Sequence, residues 1–452
     1  MFTGQKAAAA TLSAIVFVSV GPVAKADPCV LGAASDRQSN TCIGASALGQ
    51  NTTGTNNTAI GVSALAQNTT GVESTAIGSN ALASNTTGSR NTAAGASALA
   101  SNTTGSSNTA VGDDALRFNT TGINNTASGA GALRSNTTGS SNTASGVDAL
   151  RSNTTGSNNT ATGVGALGAN DTGIWNTASG VSALGSNTTG RQNTATGSSA
   201  LASNTTGHNN TAQGYLTLRA NVSGSNNTAM GREALSSITR GSNNTAMGFE
   251  AGKNLITDAS NNILLGAQAG LNLTSNNKNN ILIGNAGIVG DQGRLRIGTQ
   301  GIQTRGAFIA GITGTGVVLG QQVLVDQYGQ LGVTLSSKRY KQDIQPMGDV
   351  SDALMQLHPV TFHYKQADAD GTKPIQYGLI AEEVEKVMPN LVAYDQDGSP
   401  QSVAYQVLPS LLLNEYQKQD RELAAANAEL ASIQAEMAGL KQKLSHLTGG
   451  KR

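Results

Sequence analysis

A fixed spacing of seventeen residues constrains this chain more than any other feature. The glycine that follows the element NTAx falls at 44, 61, 78, 95 and 112, and it recurs at the same interval as far as 248. Two looser copies place glycine at 266 and 284, with the interval lengthened by one each time. The stretch "NTAIGVSALAQNTTGVE" from Asn57 returns as "STAIGSNALASNTTGSR", "NTAAGASALASNTTGSS" and "NTAVGDDALRFNTTGIN". A short constant period means one supersecondary unit stacked many times. Seventeen residues are too few for two helices and a turn, and the Gly, Asn and Thr content opposes helix. The repeat predicts two short strands and two tight turns per coil. "TAxGxxAL" supplies small inward residues, and "NTTGxxN" supplies turn residues that tolerate unusual backbone angles. Each coil buries little more than two alanines and a leucine, so no coil folds alone. Stacked coils share backbone hydrogen bonds, and equivalent Asn and Thr side chains are expected to form ladders. Fifteen coils at about 4.8 Å each make a rod of roughly 70 Å. A disordered low-complexity tract is the alternative, and the strict phase of Gly, Ala and Leu argues against it.

Composition agrees with a chain that is not built on an aromatic core. Only 3% of the 452 residues are aromatic and 12% charged, against about 25% charged in an average globular protein. A formal net charge of +1 makes no case for nucleic acid or an anionic membrane as partner. Lys6, the apolar run "AAAATLSAIVFVSVG" and "AKA" at 24–26 read as a signal peptide over 1–26, with a mature start at Asp27. The apolar run is short for a bilayer span, and no other stretch approaches one. The mature protein is therefore expected to be secreted or at the cell surface, without a membrane span. Cys29 and Cys42, just after the cleavage point, are expected to close a short loop by a disulfide in an exported chain. No histidine lies near them, the chain having only His208, His358, His363 and His446. No metal site and no cofactor are expected.

The repeat breaks down over 286–335 into strand-like pieces, "RLRIGTQG", "GAFIAGI" and "QQVLVDQYGQLGV", which read as a β-rich connector after a repeat region spanning 27–285. From 336 to 410 the chain is mixed α and β. "LIAEEVEKVMPNL" has helical spacing and stops at Pro389, and "VAYDQDGSPQSVAY" reads as a hairpin turning at Asp397–Gly398. Residues 411–448 read as a coiled-coil helix. Tyr416, Gln419, Leu423, Ala426, Leu430, Ile433, Met437, Leu440, Leu444 and Leu447 keep the alternating three-four spacing of a heptad seam. A single helix packed on the preceding domain is the alternative. The length of the seam favours self-association, and its Ile and Leu pattern leans beyond two strands.

Between connector and mixed segment lies "TLSSKRYKQDI", residues 334–344. A serine hydroxyl is a poor nucleophile until a base takes its proton. Lysine is such a base only when desolvation or neighbouring positive charge favours the neutral amine, and Lys338 and Arg339 are candidates for that charge. Ser336 and Lys341 share neither a helical face nor a strand face, so they meet only across a turn. A solvated basic turn without chemistry is the plain alternative, and Ser337 is a competing nucleophile.

The stretch from Leu331 to about Leu423 resembles a known family. "SSKRYKQDI" at 336–344, "LMQLHPVTFHYK" at 354–365, "YGLIAEEVEKVMPNLV" at 377–392 and "DGSPQSVAYQVLPSLLL" at 398–413 together are similar to the C-terminal intramolecular chaperone, auto-processing domain of phage tail spikes and endosialidases, also found in myelin regulatory factor. The resemblance implies a domain that trimerises, helps a fibrous upstream region fold in register, and then cuts itself off before the serine of S-x-x-x-x-K. On this sequence the cut falls at Leu335–Ser336, with Ser336 as nucleophile and Lys341 as its base. Ser337 and Tyr340 fit the slots after the nucleophile and before the lysine. The upstream repeats, with "NTAIG", also resemble the β-roll head repeats of trimeric surface adhesins, although those repeats are usually shorter and the end "TGGKR" lacks an outer-membrane β-barrel anchor.

The expected fold is thus mainly β: a parallel β-solenoid or β-roll fibre, a small α+β chaperone domain and a C-terminal coiled coil, assembled as a homotrimer. The expected function is a secreted fibre that carries its own trimerisation chaperone and self-cleaving serine endopeptidase. A non-cleaving surface-binding or structural fibre, with a surface glycan or host surface as ligand, is the second reading. An ice-binding solenoid is a weaker one, since nothing in the sequence fixes a flat Thr-x-Thr face. A glycosidase needs paired carboxylates, and Asp113–Asp114 is one isolated pair, expected to be solvated. Trp175, the single tryptophan, stands at a turn position and is expected as a packed rim residue, with an exposed contact residue as the alternative.

Overall fold

The structure is a computed structural model and describes residues 38–299, 323–325, 330–366, 371–395 and 397–449. The signal-peptide reading of 1–26 and Cys29 lie outside the described residues. Two compact units divide the chain, 1–304 and 305–452.

The first unit is a parallel solenoid. Sixteen three-residue strands, from β1 (Thr41–Ile43) to β16 (Leu295–Ile297), form one sheet in strict chain order. The register is one coil to the next, as in Thr58↔Thr75, Ala59↔Ala76 and Ile60↔Ile77. The sheet takes in β16, within the stretch read from sequence as connector. Each coil seals the same small core. Ala59, Ala64 and Leu65 are fully buried in one coil, and Ala76, Ala81 and Leu82 in the next. Cys42 occupies the alanine position of the strand in β1, opposite Ala59.

The coil has one strand, not the two expected. On the far side the backbone alternates hand: Ser63 (φ 57°) and Leu65 (φ 51°) are left-handed, and the same two positions repeat through the stack. Their amides bond in opposite axial directions, Ser63 N–H to the Ala45 carbonyl at 2.8 Å and Leu65 N–H to that of Ala81 at 3.0 Å. Leucine at positive φ costs about 1–2 kcal/mol, offset here by full burial and by an axial hydrogen bond. No regular strand alternates hand in this way, so period alone could not reveal it.

Both recurring glycines are imposed by the neighbouring coil. A Cβ on Gly129 (φ +136°) would stand 2.5 Å from the Gly146 carbonyl oxygen. One on Gly139 would stand 2.3 Å from the Gly156 carbonyl oxygen and 2.4 Å from Asn136 Oδ1. Two asparagine ladders run along the stack. In the first, from Asn51 to Asn221, each amide donates to the Oδ1 one coil before, as in Asn136 to Asn119 at 2.7 Å and Asn153 to Asn136 at 2.8 Å. The same amide also donates to a glycine carbonyl three residues on. In the second ladder Asn108 donates to Asn91 at 3.2 Å and to the Gly122 carbonyl at 2.9 Å. Threonine behaves differently from expectation: Thr69 Oγ1 donates to the Thr86 backbone carbonyl at 2.9 Å, not to another hydroxyl.

The second unit is small. An antiparallel pair, β17 (Val323–Val325) and β18 (Leu331–Val333), precedes two further hairpins. These are β19 (Val360–Phe362) with β20 (Gln376–Gly378), and β21 (Val392–Tyr394) with β22 (Pro400–Val403). The last turns where expected: Gly398 has φ +80°, and the Asp395 carboxylate accepts from the Asp397 and Ser399 amides. Helix α1 (Ala381–Val387) ends before Pro389, and α2 runs from Leu408 to Gly449. Leu354, Val384, Met388, Leu391, Val403 and Leu411 make the core. Among the described residues no helix is long and apolar enough to cross a membrane.

Asn136→Ala removes one rung of the first ladder and leaves the Asn153 amide short of a buried acceptor. The expected loss is about 1–3 kcal/mol, read as a lowered urea midpoint. Thr138→Ala, on the exposed side of the same coil, is expected to change stability by less than about 0.5 kcal/mol.

Candidate functional site

The candidate site lies just past β18. The chain runs extended through Ser337 (φ −66°, ψ 142°), makes a 3-10 turn over Lys338–Tyr340, and is extended again at Lys341. The turn is closed by Tyr340 N–H to the Ser337 carbonyl at 3.0 Å and Lys341 N–H to the Lys338 carbonyl at 3.1 Å. It folds Lys341 back so that its Nζ donates to Ser336 Oγ at 3.4 Å. That is longer than an ordinary hydrogen bond of this type. Ser336, Ser337 and Lys341 are all exposed. Of the two neighbouring cations, Arg339 stacks on the Tyr340 ring at 4.7 Å. A cavity of about 190 Å³ in the same unit is lined by residues including Leu357, His358, Ile380 and Glu383, and neither Ser336 nor Lys341 is in its wall.

Sequence reasoning missed a polar cluster that anchors α2. Ser351 is fully buried. Its hydroxyl donates to Glu415 and accepts from Asn414 Nδ2 at 2.6 Å. The Asn414 amide also reaches the Gly348 carbonyl at 2.8 Å. Lys418 pairs with Asp352 and, at 3.2 Å, with Glu415. The hydrogen bond to Asp352 leads in holding the Lys418 ammonium above its usual range, with Glu415 adding to it. The partners stand 63 to 66 residues apart in the chain, and no local pattern joins them.

Other expected site residues fall as follows. No group of histidine, cysteine and carboxylate residues suited to a metal occurs among the described residues. Asp114 is not simply solvated: it pairs with Arg117 at 3.2 Å and Arg134 at 3.1 Å, and both guanidinium groups lie over Phe118. Trp175 is not packed: it is 56% exposed, at φ 56°. The seam of α2 is bare in one chain, with Leu423, Leu430, Ile433, Met437, Leu440 and Leu444 all exposed.

Ser351→Ala leaves the Asn414 amide and the Glu415 carboxylate without their shared partner. It is expected to cost about 1–3 kcal/mol, seen as earlier melting of the C-terminal unit while the solenoid transition stays in place.

No curated protein and no solved structure matches the chain. Residues 336–393 match the family model described as chaperone of endosialidase. Past the solenoid, the chain thus carries a segment similar to the chaperone-of-endosialidase family, and the match begins at Ser336 itself.

Proposed function

We propose that this protein is an exported homotrimeric fibre whose C-terminal unit is an intramolecular chaperone that cuts the chain between Leu335 and Ser336. The observation that carries the reading is the family match starting at Ser336, the residue that such a cut would leave as a new N-terminus. Assembly has a physical motive. Among its described residues the C-terminal unit has six fully or nearly buried apolar residues, while Tyr377, Met355, Val350, Leu412 and Leu413 are exposed with the α2 seam. A core that small is marginal by itself, and parallel copies zipped along α2 would cover much of the remainder.

The chemistry asks Lys341 to take the Ser336 hydroxyl proton as the Oγ attacks the Leu335 carbonyl carbon. The acyl bond shifts from nitrogen to oxygen, the freed amine takes a proton, and water then hydrolyses the ester. Lysine does this only as a neutral amine, a form favoured by removal from water. In one chain the pair is exposed, so neighbouring copies over the turn are the expected source of that environment, and cleavage follows assembly. Signal removal at 26 and a Cys29–Cys42 bridge complete the exported form.

Expression without residues 1–26, followed by denaturing mass measurement, tests the reading. The parent is expected to break at Leu335–Ser336, and Ser336→Ala and Lys341→Ala to remain whole. An intact parent that is trimeric makes the unit a retained trimerisation module and removes the peptidase.

Trp175 favours the surface-binding reading as a second role. A bulky residue at positive φ is conformationally disfavoured, and this one gains no burial in return. Arg191 and His208, one and two coils on, stand at the position before it, where seven coils carry serine. The His208 Nδ1 accepts from the Arg191 amide at 3.0 Å, which leaves Nε2–H as the outward donor of the neutral ring. An aromatic face beside hydrogen-bond donors suits a sugar. Binding to immobilised glycans is expected to fall at least about tenfold in Trp175→Ala, the equivalent of about 1.4 kcal/mol. No binding by the parent removes the role.

A further inference from the structure

We propose that the outward face of the solenoid sheet, with the row just beyond its turn glycine, is the surface on which copies of this chain pack against one another. The inference rests on the homotrimer reading above and adds to it the surface used.

Each strand presents its first and third residues outward and buries the second. The residue after the turn glycine stands two positions beyond the third, within about 7 Å along the chain. Because coils stack in register, these positions make three parallel rows. Between Ile43 and Ile283 there are 19 strongly exposed large apolar side chains, and 14 of them lie on these rows. The third strand position carries Ile43, Ile77 and Val111 early in the stack and Met230, Met247 and Ile283 late. Over the middle it turns to small hydroxyl residues, Ser128, Ser145, Thr162, Ser179 and Thr196. There the neighbouring row takes over with Val147, Val164 and Val181. The apolar stripe shifts sideways by one row but continues.

Charge is arranged in the opposite way. From β1 to β15 neither outward strand position holds a charged residue, and the row beyond the glycine holds only Asp113 and Arg232. Arg232 pairs with Glu233 at 2.9 Å beside this row, and the other ion pairs lie elsewhere on the coil, including Arg117–Asp114, Arg151–Asp148 and Lys253–Glu250. Apolar enrichment with charge depletion marks the core of an interface. It also points to the occupant. When identical parallel chains meet about a common axis, a charge close to that axis meets its own copies, so the face turned toward the axis favours residues without charge. A different protein as partner imposes no such rule. Fifteen turns at about 4.8 Å by three rows is roughly 1,000 Å² per copy; shared between two neighbours in a trimer, that is about 1,000 Å² of total surface per pair, at the lower bound for a specific interface.

The test uses the full chain with one added cysteine, Val164→Cys on the face or Thr155→Cys on the exposed NTTG side. Mass in solution and the rate of maleimide labelling are read together, with the parent as background. The expected result is a trimer in which Val164→Cys labels at least about tenfold more slowly than Thr155→Cys, as protection by an interface that must open requires. A trimer in which both label alike overturns the face assignment and leaves the homotrimer standing. A monomer in which both label alike overturns the homotrimer reading and the interface with it.

Discussion

Every coil of the solenoid satisfies its backbone through the coil beside it, one full repeat away in sequence. The strand amides, the left-handed Ser63 and Leu65 amides, and the Thr69, Thr70 and Gly71 amides that converge on one Thr86 carbonyl all point along the axis. Almost everything unusual about the composition follows. Carbonyls of one coil come so near the glycines of the next that a Cβ cannot be fitted. Side chains that reach inward must be small or must themselves bond along the axis. Alanine, one leucine and two asparagines per coil meet that condition, and aromatic residues do not.

Departures from the repeat show how tightly the condition binds. The first asparagine ladder ends at Asn221, whose Oδ1 is a buried acceptor with no partner among the described residues, because the next coil places the buried Ile238 at that position. Leu255 and Leu273 follow, so a polar ladder gives way to an apolar stack. Core volume is redistributed in the same coils. The strand alanine becomes Leu264 and then Leu282, while the turn leucine becomes Gly252 and then Gly270. A Cβ on Gly252 would stand 2.6 Å from Leu264 Cδ1, and one on Gly270 2.9 Å from Leu264 Cδ2. Larger residues on one wall are matched by glycine on the other, as a close-packed interior demands.

What could be read from sequence divides along the same line. Period, coil number, inward alanines and leucine, and the asparagine ladders are all consequences of one spacing, so a linear pattern holds them. The alternating backbone hand at Ser63 and Leu65 leaves no signature, since serine and leucine are ordinary residues at ordinary angles elsewhere. In the second unit, Ser336 and Lys341 face each other across a short 3-10 turn, and it is the family resemblance, not their five-residue spacing, that singles them out. The buried Ser351–Asn414–Glu415 cluster was not readable, because its members come together only through the tertiary fold. Trp175 was misread for a related reason: its coil position is defined by sequence, but which way that corner faces is set by the left-handed backbone there.

Repetition also creates a difficulty that the C-terminal unit is suited to solve. Coils that are nearly identical stack on one another almost equally well whichever pair is chosen. Parallel copies sliding by one coil would keep nearly every backbone environment, so register is weakly specified by the repeat itself. The outward rows supply some discrimination, through isoleucines at one end, valines displaced to the next row in the middle and methionines beyond. Those differences act only after copies have met over many coils, a non-local and slow step. In the proposed assembly, the heptad seam on a 42-residue helix would act locally and set chain number and alignment before the coils close. Chains aligned in this way would reach the solenoid already in register. A cut that waits for assembly would release the aligning unit only when the stacked coils, held by their own axial bonds, no longer need it.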